Sequence, residues 1–172
     1  MSKAQSPEPK ASAYVDGLKM LGRRELSEAQ VRQRLARKGH PSDEIDAAVD
    51  RLRQERAIDD ARVAEAIAHT ETTVRRRGKL RVRRQIEQAG IAPATARHAI
   101  DEVFEGVDDE ALLEEALARR LKGRDRLADE AEFRRLFRYL VSQGFEPDRV
   151  MAILKRHNEA QRPGPKSTIR TG

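Results

Sequence analysis

Leu35-Ala-Arg-Lys-Gly-His40 has the pattern of a helix ending, and the chain repeats it as Ile86-Glu-Gln-Ala-Gly-Ile91 and Leu140-Val-Ser-Gln-Gly-Phe145. The three glycines are 51 and 54 residues apart. Apolar residues stand eight before, four before and ten after each glycine: Val31, Leu35 and Val49; Val82, Ile86 and Ile100; Leu136, Leu140 and Leu154. Fixed spacing over about fifty residues is typical of repeat proteins. The sequence therefore predicts a tandem array rather than one irregular domain.

Each glycine is predicted to end its helix in the left-handed conformation, which costs glycine little. In that motif the residue after the glycine packs against the residue four before it. The three pairs are His40 with Leu35, Ile91 with Ile86, and Phe145 with Leu140. A proline follows within three residues in every copy, and proline is favoured at the first position of a helix. Each glycine is therefore expected to join two helices closely.

Paired aspartates mark the repeat boundaries, at Ile58-Asp59-Asp60 and Val107-Asp108-Asp109. An aspartate at such a position can cap the helix that follows. Ser27-x-x-Gln30 and Asp129-x-x-Glu132 have the form of capping boxes. The predicted fold is all-α, with three tandem three-helix repeats in an elongated, curved array. Its segments are a disordered tail over 1–12, repeats over 13–57, 58–106 and 107–158, and a disordered tail over 159–172.

Composition limits the class of protein. Charged residues make up 37% of the 172, aromatic residues 3%, and cysteine and tryptophan are absent. Small aliphatic cores shared among repeats suit this composition better than one large core. The absence of cysteine excludes disulfides and thiolate metal sites and is compatible with a reducing compartment. With no signal peptide or membrane span evident, we expect a soluble, cytoplasmic monomer without membrane contact.

The chain is basic, with a formal net charge of +6 and 27 arginines against 8 lysines. Seven cations fall within residues 75–84 with no acid among them. Further cations precede the first and third glycines, so basic residues recur on the same helix of each repeat. The predicted partner-binding residues are Arg32, Arg34, Arg37, Arg75, Arg76, Arg77, Lys79, Arg81, Arg83, Arg84, Arg134, Arg135 and Arg138. A solvated face is the alternative reading, but clustered like charges repel unless an anion offsets them.

No catalytic, cofactor or metal site is predicted. The four histidines, at 40, 69, 98 and 157, lack metal-ligand spacing, and His40 and His157 stand where other repeats carry apolar residues. The aspartate pairs are better explained as helix caps than as metal ligands. No nucleophile motif or phosphate-binding glycine loop is present.

A helix-turn-helix that reads DNA bases is the obvious alternative for two helices joined at a glycine. The second helix would then enter the major groove. Here that helix carries Asp43, Glu44, Asp46 and Asp50 in the first repeat. Phosphates lining the groove would repel these carboxylates. Cations on the preceding helices instead suit contact with a phosphate backbone or an acidic protein groove.

In order and spacing, several motifs resemble the RecX regulatory proteins over residues 14–157. Leu21-Gly-Arg-Arg-Glu-Leu-Ser-Glu28 is similar to the family's Arg-Arg-Glu-Tyr-Ser-x-x-Glu-Leu motif. Leu35-Ala-Arg-Lys-Gly39, Ile58-Asp-Asp-Ala-Arg-Val-Ala64 and the basic stretch from Lys79 to Gly90 follow in the family's order.

The resemblance implies a non-enzymatic protein that binds the RecA recombinase filament on single-stranded DNA. It implies modulation, usually inhibition, of RecA's ATPase, strand-exchange and co-protease activities, in recombination, DNA repair and the SOS response. A weak direct contact with single- or double-stranded DNA remains open. Two other hypotheses also stand: a repeat protein that coats nucleic acid without sequence preference, and a helical scaffold for unrelated partners.

Overall fold

The computed structural model describes residues 12–124 and 127–159. They form nine α-helices and no strand, which confirms the all-α prediction. The helices are α1 Ala13–Leu21, α2 Glu28–Arg37, α3 Ser42–Gln54, α4 Asp60–His69, α5 Lys79–Gln88, α6 Pro93–Glu105, α7 Asp109–Leu121, α8 Glu130–Ser142 and α9 Pro147–Glu159. A π-helical turn, Thr70–Val74, follows α4. No described helix combines the length and apolar character needed to cross a membrane. The predicted disordered tails lie almost entirely outside the described residues.

The described chain divides into two compact units. The first contains residues up to Ala68 together with Arg84–Asp101, and the second contains His69–Arg83 together with residues from Glu102 onward. In the first unit α1 packs against α2 and α3, and α2 packs against α3. In the second unit α8 packs against both α7 and α9. The three repeats drawn from the sequence are a different division of the chain, and their boundaries stay a prediction.

The helix endings have the predicted left-handed glycines. The φ angles are +85° at Gly39, +78° at Gly90 and +96° at Gly144. At the first ending the Gly39 N–H donates to the Ala36 carbonyl at 2.9 Å, and the His40 N–H donates to the Leu35 carbonyl at 3.3 Å. These two bonds define the Schellman motif, which satisfies carbonyls that the helix leaves without partners.

The repeated apolar positions form the cores. All nine residues at the shared distances from the glycines are at most 7% exposed: Val31, Leu35, Val49, Val82, Ile86, Ile100, Leu136, Leu140 and Leu154. Val31, Leu35 and Val49 join Leu26, Ile45, Leu52 and Ile58 in one cluster of the first unit. Burial of a Val, Leu or Ile side chain contributes about 1.5–3 kcal/mol. The spacing read from the sequence therefore marks residues that stabilise the fold.

Two of the glycines have a second role, which is to let helix ends meet. The carboxyl end of α5 lies against the amino end of α2, so that a Cβ on Gly90 would stand 2.4 Å from the Ala29 Cβ. The carboxyl end of α8 lies in the same way against the amino end of α5. There Gly144 accepts a hydrogen bond from the Leu80 N–H at 3.0 Å, and a Cβ on it would stand 2.3 Å from the Arg81 nitrogen. Gly39 has no such neighbour, because nothing lies within 4 Å of its Cβ position.

Most predicted caps are present. Ser27 and Gln30 form a reciprocal capping box on α2, and Asp108 accepts from two backbone N–H groups at the start of α7. Asp59 accepts from the Arg62 N–H at 3.1 Å. Asp60 does more than favour its own helix dipole, because its Oδ1 accepts from the Glu28 N–H of α2 at 2.8 Å. Side chains of one helix therefore satisfy the orphan amides of another.

The predicted capping box on α8 is only half right. Asp129 accepts from the Glu132 N–H at 2.7 Å, as expected. The Glu132 carboxylate, however, does not accept a hydrogen bond from the Asp129 backbone N–H, as a capping box requires. It accepts from the Ala128 N–H at 2.6 Å and from the Arg124 guanidinium, because the preceding loop brings these donors closer.

Candidate functional site

The predicted cations of α2 differ in availability. The Arg32 Nε lies 3.0 Å from Glu28 Oε1, and its Nη1 bonds to Asp46. These hydrogen bonds, that to Asp46 foremost, raise the pKa of Arg32 above its ordinary value. Arg34 and Arg37 form no ion pair with any described residue. Arg32 therefore connects α2 to α3, whereas Arg34 and Arg37 lie in the last turn of α2 without an ion pair.

Four of the seven cations in the 75–84 cluster have partners inside the second unit. Arg75 pairs with the buried Glu71 at 2.7 Å, and Arg76 lies 3.6 Å from Glu115. Arg77 Nη1 donates to Gln143 Oε1 at 2.5 Å, and the Lys79 ammonium stands 5.1 Å from the centre of the Phe104 ring. Such contacts hold the turn between α4 and α5 in place. The structure therefore explains over half of the cluster without an external anion.

The other three cations, Arg81, Arg83 and Arg84, lie on α5 without an ion pair in the described part of the chain. On this helix Val82 and Ile86 are buried in the core. Arg83 and Arg84 are therefore exposed, and Arg81 is half-buried. No acid stands in the first turn of α5, although the positive end of the helix dipole favours one there. Arg81, in this first turn, repels the dipole, and the three cations repel one another. An external anion would relieve both repulsions.

The third group lies on α8. Arg134 stands 3.6 Å from Glu130, one turn earlier, whereas Arg135 and Arg138 are exposed and form no ion pair with a described residue. The predicted site residues whose cations form no ion pair, side-chain hydrogen bond or ring contact with a described residue are thus Arg34, Arg37, Arg81, Arg83, Arg84, Arg135 and Arg138. All seven lie on α2, α5 or α8, the helices that end at the repeated glycines.

The acidic residues of α3 lie where the sequence placed them. Asp43, Glu44, Asp46 and Asp50 are all exposed, and Asp46 is engaged by Arg32. An exposed acidic surface on the helix after the glycine is unfavourable for entry into a DNA groove. The helix-turn-helix alternative therefore finds no support in the charge of this helix.

His40 has a structural environment. Its side chain is 7% exposed, and its Nε2 lies 3.0 Å from Asp16 Oδ2. Lys38 approaches the other oxygen of Asp16 at 3.0 Å. These hydrogen bonds, His40 first and Lys38 second, lower the pKa of Asp16. Within 12–124 and 127–159, no cluster of three or more His, Asp or Glu residues is arranged to hold a metal ion.

The structure also contains a basic pocket that was not predicted from the sequence. It lies in the first unit, has a volume of about 270 Å³, and is lined by Lys19, Arg23, Arg24, Arg34, Lys38, Asp16 and Met20. Of these cations only Arg34 was among the predicted site residues. The adjacent Arg23-Arg24 pair at the end of α1 was the available signal. Its meaning depends on α1 and α2 lying side by side, which sequence spacing alone does not reveal.

Comparison with known proteins identifies one family. Residues 13–52 match the family model described as "RecX, first three-helix domain". The regulatory protein RecX of Syntrophotalea carbinolica is 33% identical over 138 residues, which cover 80% of this chain and 90% of that protein. The regulatory protein RecX of Chromohalobacter salexigens is 33% identical over 135 residues, covering 78% and 86%.

Solved structures show the same fold. The crystal structure of RecX from Lactobacillus salivarius aligns with a TM-score of 0.66 at 18% identity, over 84% of this chain and 94% of that one. A second crystal structure of regulatory protein RecX aligns with a TM-score of 0.69 at 20% identity, over 84% and 70%.

Proposed function

This chain belongs to the RecX family of regulatory proteins, and from that premise we propose that it is a non-enzymatic modulator of the RecA recombinase filament. Its expected action is inhibition of the ATPase, strand-exchange and co-protease activities of RecA on single-stranded DNA. The motif resemblance supplies the identity of the partner. The charge distribution of the chain supplies the residues that we assign to contact.

The observation that carries this proposal is the set of unpaired cations on α2, α5 and α8. We assign the central contact to Arg81, Arg83 and Arg84, because these three sit together on one helix without internal partners. Arg34 and Arg37 support the contact from α2, and Arg135 and Arg138 from α8. Several weak contacts joined in one chain bind far more tightly than any one of them alone. Inhibition then requires that the chain prefer one state of the filament over another.

The test reverses the charge of the central contact. We expect Arg81→Glu, Arg83→Glu and Arg84→Glu together to raise the half-inhibitory concentration for DNA-dependent ATP hydrolysis by RecA more than tenfold. A matched control reverses Arg56, Arg97 and Lys155, three exposed cations without ion pairs among the described residues and outside α2, α5 and α8. The control should inhibit nearly as well as the natural chain. Equal inhibition by both folded variants would reject the assignment to α5.

A second candidate function is coating of DNA without preference for the filament. The unpaired arginines favour it as well, since phosphate backbones attract them equally. The two functions differ in a titration on bare single strands. Tight, steeply salt-dependent binding that gains nothing when RecA is present would favour coating over filament recognition.

A further inference from the structure

We propose that the basic pocket of the first unit binds phosphate groups of a nucleic-acid strand. The pocket lies where the end of α1 and the residues after it meet the outer side of α2. Lys19 and the Arg23-Arg24 pair come from the first element, and Arg34 and Lys38 from the second. This site shares Arg34 with the contact proposed above but none of its α5 cations, and it requires no RecA.

The pocket has more positive charge than its own residues neutralise. Its one carboxylate, Asp16, is already held by Lys38 at 3.0 Å and by His40 at 3.0 Å. Lys19, Arg23, Arg24 and Arg34 form no ion pair with a described residue. Four cations around a concave surface repel one another, and each ion that enters between them reduces that repulsion. The pocket therefore favours a ligand that carries several negative charges.

Size and side-chain type indicate the class of that ligand. A volume of about 270 Å³ is at the lower edge of the about 300–1,000 Å³ typical of sites that enclose a whole small molecule. It suits part of an extended polyanion better. Three of the four unpaired cations are arginines, whose planar guanidinium groups bind phosphate oxygens in pairs. A strand presents phosphates in regular succession, so neighbouring phosphates can meet neighbouring guanidiniums.

A structural role is the competing explanation for these cations. Lys19 and Arg23 flank the carboxyl end of α1, where positive charge offsets the helix dipole. That role would affect stability but not ligand affinity. Arg34 lies in the last turn of α2 and can have the same role there. Arg24, which follows the end of α1 by three residues, is not explained in this way.

The experiment measures binding of a fluorescein-labelled oligothymidylate to the full chain by anisotropy at several salt concentrations. We expect Arg23→Gln with Arg24→Gln to weaken binding at least fivefold. The slope of log affinity against log salt should become shallower by about 0.7 for each phosphate contact that is lost. The control, Arg56→Gln with Arg97→Gln, removes the same charge from two exposed arginines of the first unit that do not line the pocket. It should change both quantities much less.

Two further measurements test whether binding depends on guanidinium groups and on phosphate, rather than on charge alone. Arg23→Lys with Arg24→Lys should keep most of the salt slope but bind the oligothymidylate more weakly. The positive charges remain, whereas the planar guanidinium groups that bind phosphate oxygens in pairs are lost. Polyglutamate should compete poorly with the oligothymidylate. Equal losses in the pocket and control variants would overturn the proposal, as would effective competition by polyglutamate. A lower unfolding midpoint with unchanged DNA affinity would also overturn it, in favour of the dipole role.

Discussion

Single side chains in this protein often satisfy two elements at once, and Ser27 is the clearest case. Its side chain is fully buried, accepts from the Gln30 N–H at the start of α2, and donates to the Ala89 carbonyl at the end of α5. A hydroxyl can perform both tasks, because its oxygen accepts one hydrogen bond while its hydrogen is donated to another. The sequence predicted the cap but could not predict the second bond, because Ala89 is 62 residues away.

Glu132 provides a residue-scale prediction of pH dependence. Hydrogen bonds from the Arg124 guanidinium, and then from the Ala128 N–H, lower the pKa of Glu132 from 4.5 to about 2. A carboxyl whose pKa is lower in the folded state stabilises that state above the ordinary pKa and loses this effect as the pH falls. We therefore expect the thermal midpoint to fall between pH 4.5 and pH 2 by a larger amount in the natural chain than in Glu132→Gln.

The control for this prediction is Glu130→Gln, which alters an exposed carboxylate on the same turn of α8. Melting curves followed by circular dichroism across that pH range provide the measurement. If Glu132→Gln and the natural chain lose stability in parallel down to pH 2, Glu132 does not anchor the loop.

At the scale of elements, the close approach of helix ends explains why two glycines have a packing requirement besides a conformational one. Gly39 and Gly90 have similar φ angles, +85° and +78°. They differ in surroundings, because only Gly90 faces a neighbour, the Ala29 Cβ on α2. The pair therefore separates backbone strain from steric contact within one unit.

We predict that Gly39→Ala lowers the free energy of unfolding by about 1–2 kcal/mol, the cost of a left-handed residue with a Cβ. Gly90→Ala should cost at least twice as much, because α5 and α2 must move apart. Urea denaturation of both variants measures the difference. Adding Ala29→Gly to Gly90→Ala should recover part of the loss, and additive effects in this double-mutant cycle would contradict the steric account.

For the whole molecule, the excess of positive charge matters more than any one ion pair. Seven predicted contact cations form no ion pair with a described residue, and the formal net charge is +6. Exposed ion pairs contribute little to stability, so these charges are better explained by association than by folding. Screening by salt should therefore affect binding before it affects the fold.

We expect the half-inhibitory concentration of the natural chain against RecA ATP hydrolysis to rise about tenfold between about 50 and 200 mM salt. A rise of this size corresponds to the loss of affinity expected when a few cations contact phosphates or similar anions. The Arg81, Arg83 and Arg84 charge-reversal variant should show a much shallower dependence. The ATPase activity of RecA itself changes with salt. Each salt concentration therefore needs a reference measurement with RecA alone. Inhibition that does not change with salt would mean that apolar contacts, rather than these cations, drive binding.

The amino-acid sequence alone determined the helical class, the left-handed glycines, the buried positions around them and most of the caps. These features depend on residues a few positions apart, where backbone geometry allows little choice. Tertiary structure decided which cations remain available. Arg32 and Arg75 belong to the same basic clusters as Arg34 and Arg83, yet Asp46 and Glu71 neutralise only the former pair. Ion pairing and the basic pocket depend on which helices meet, and such meetings are set by packing between distant residues.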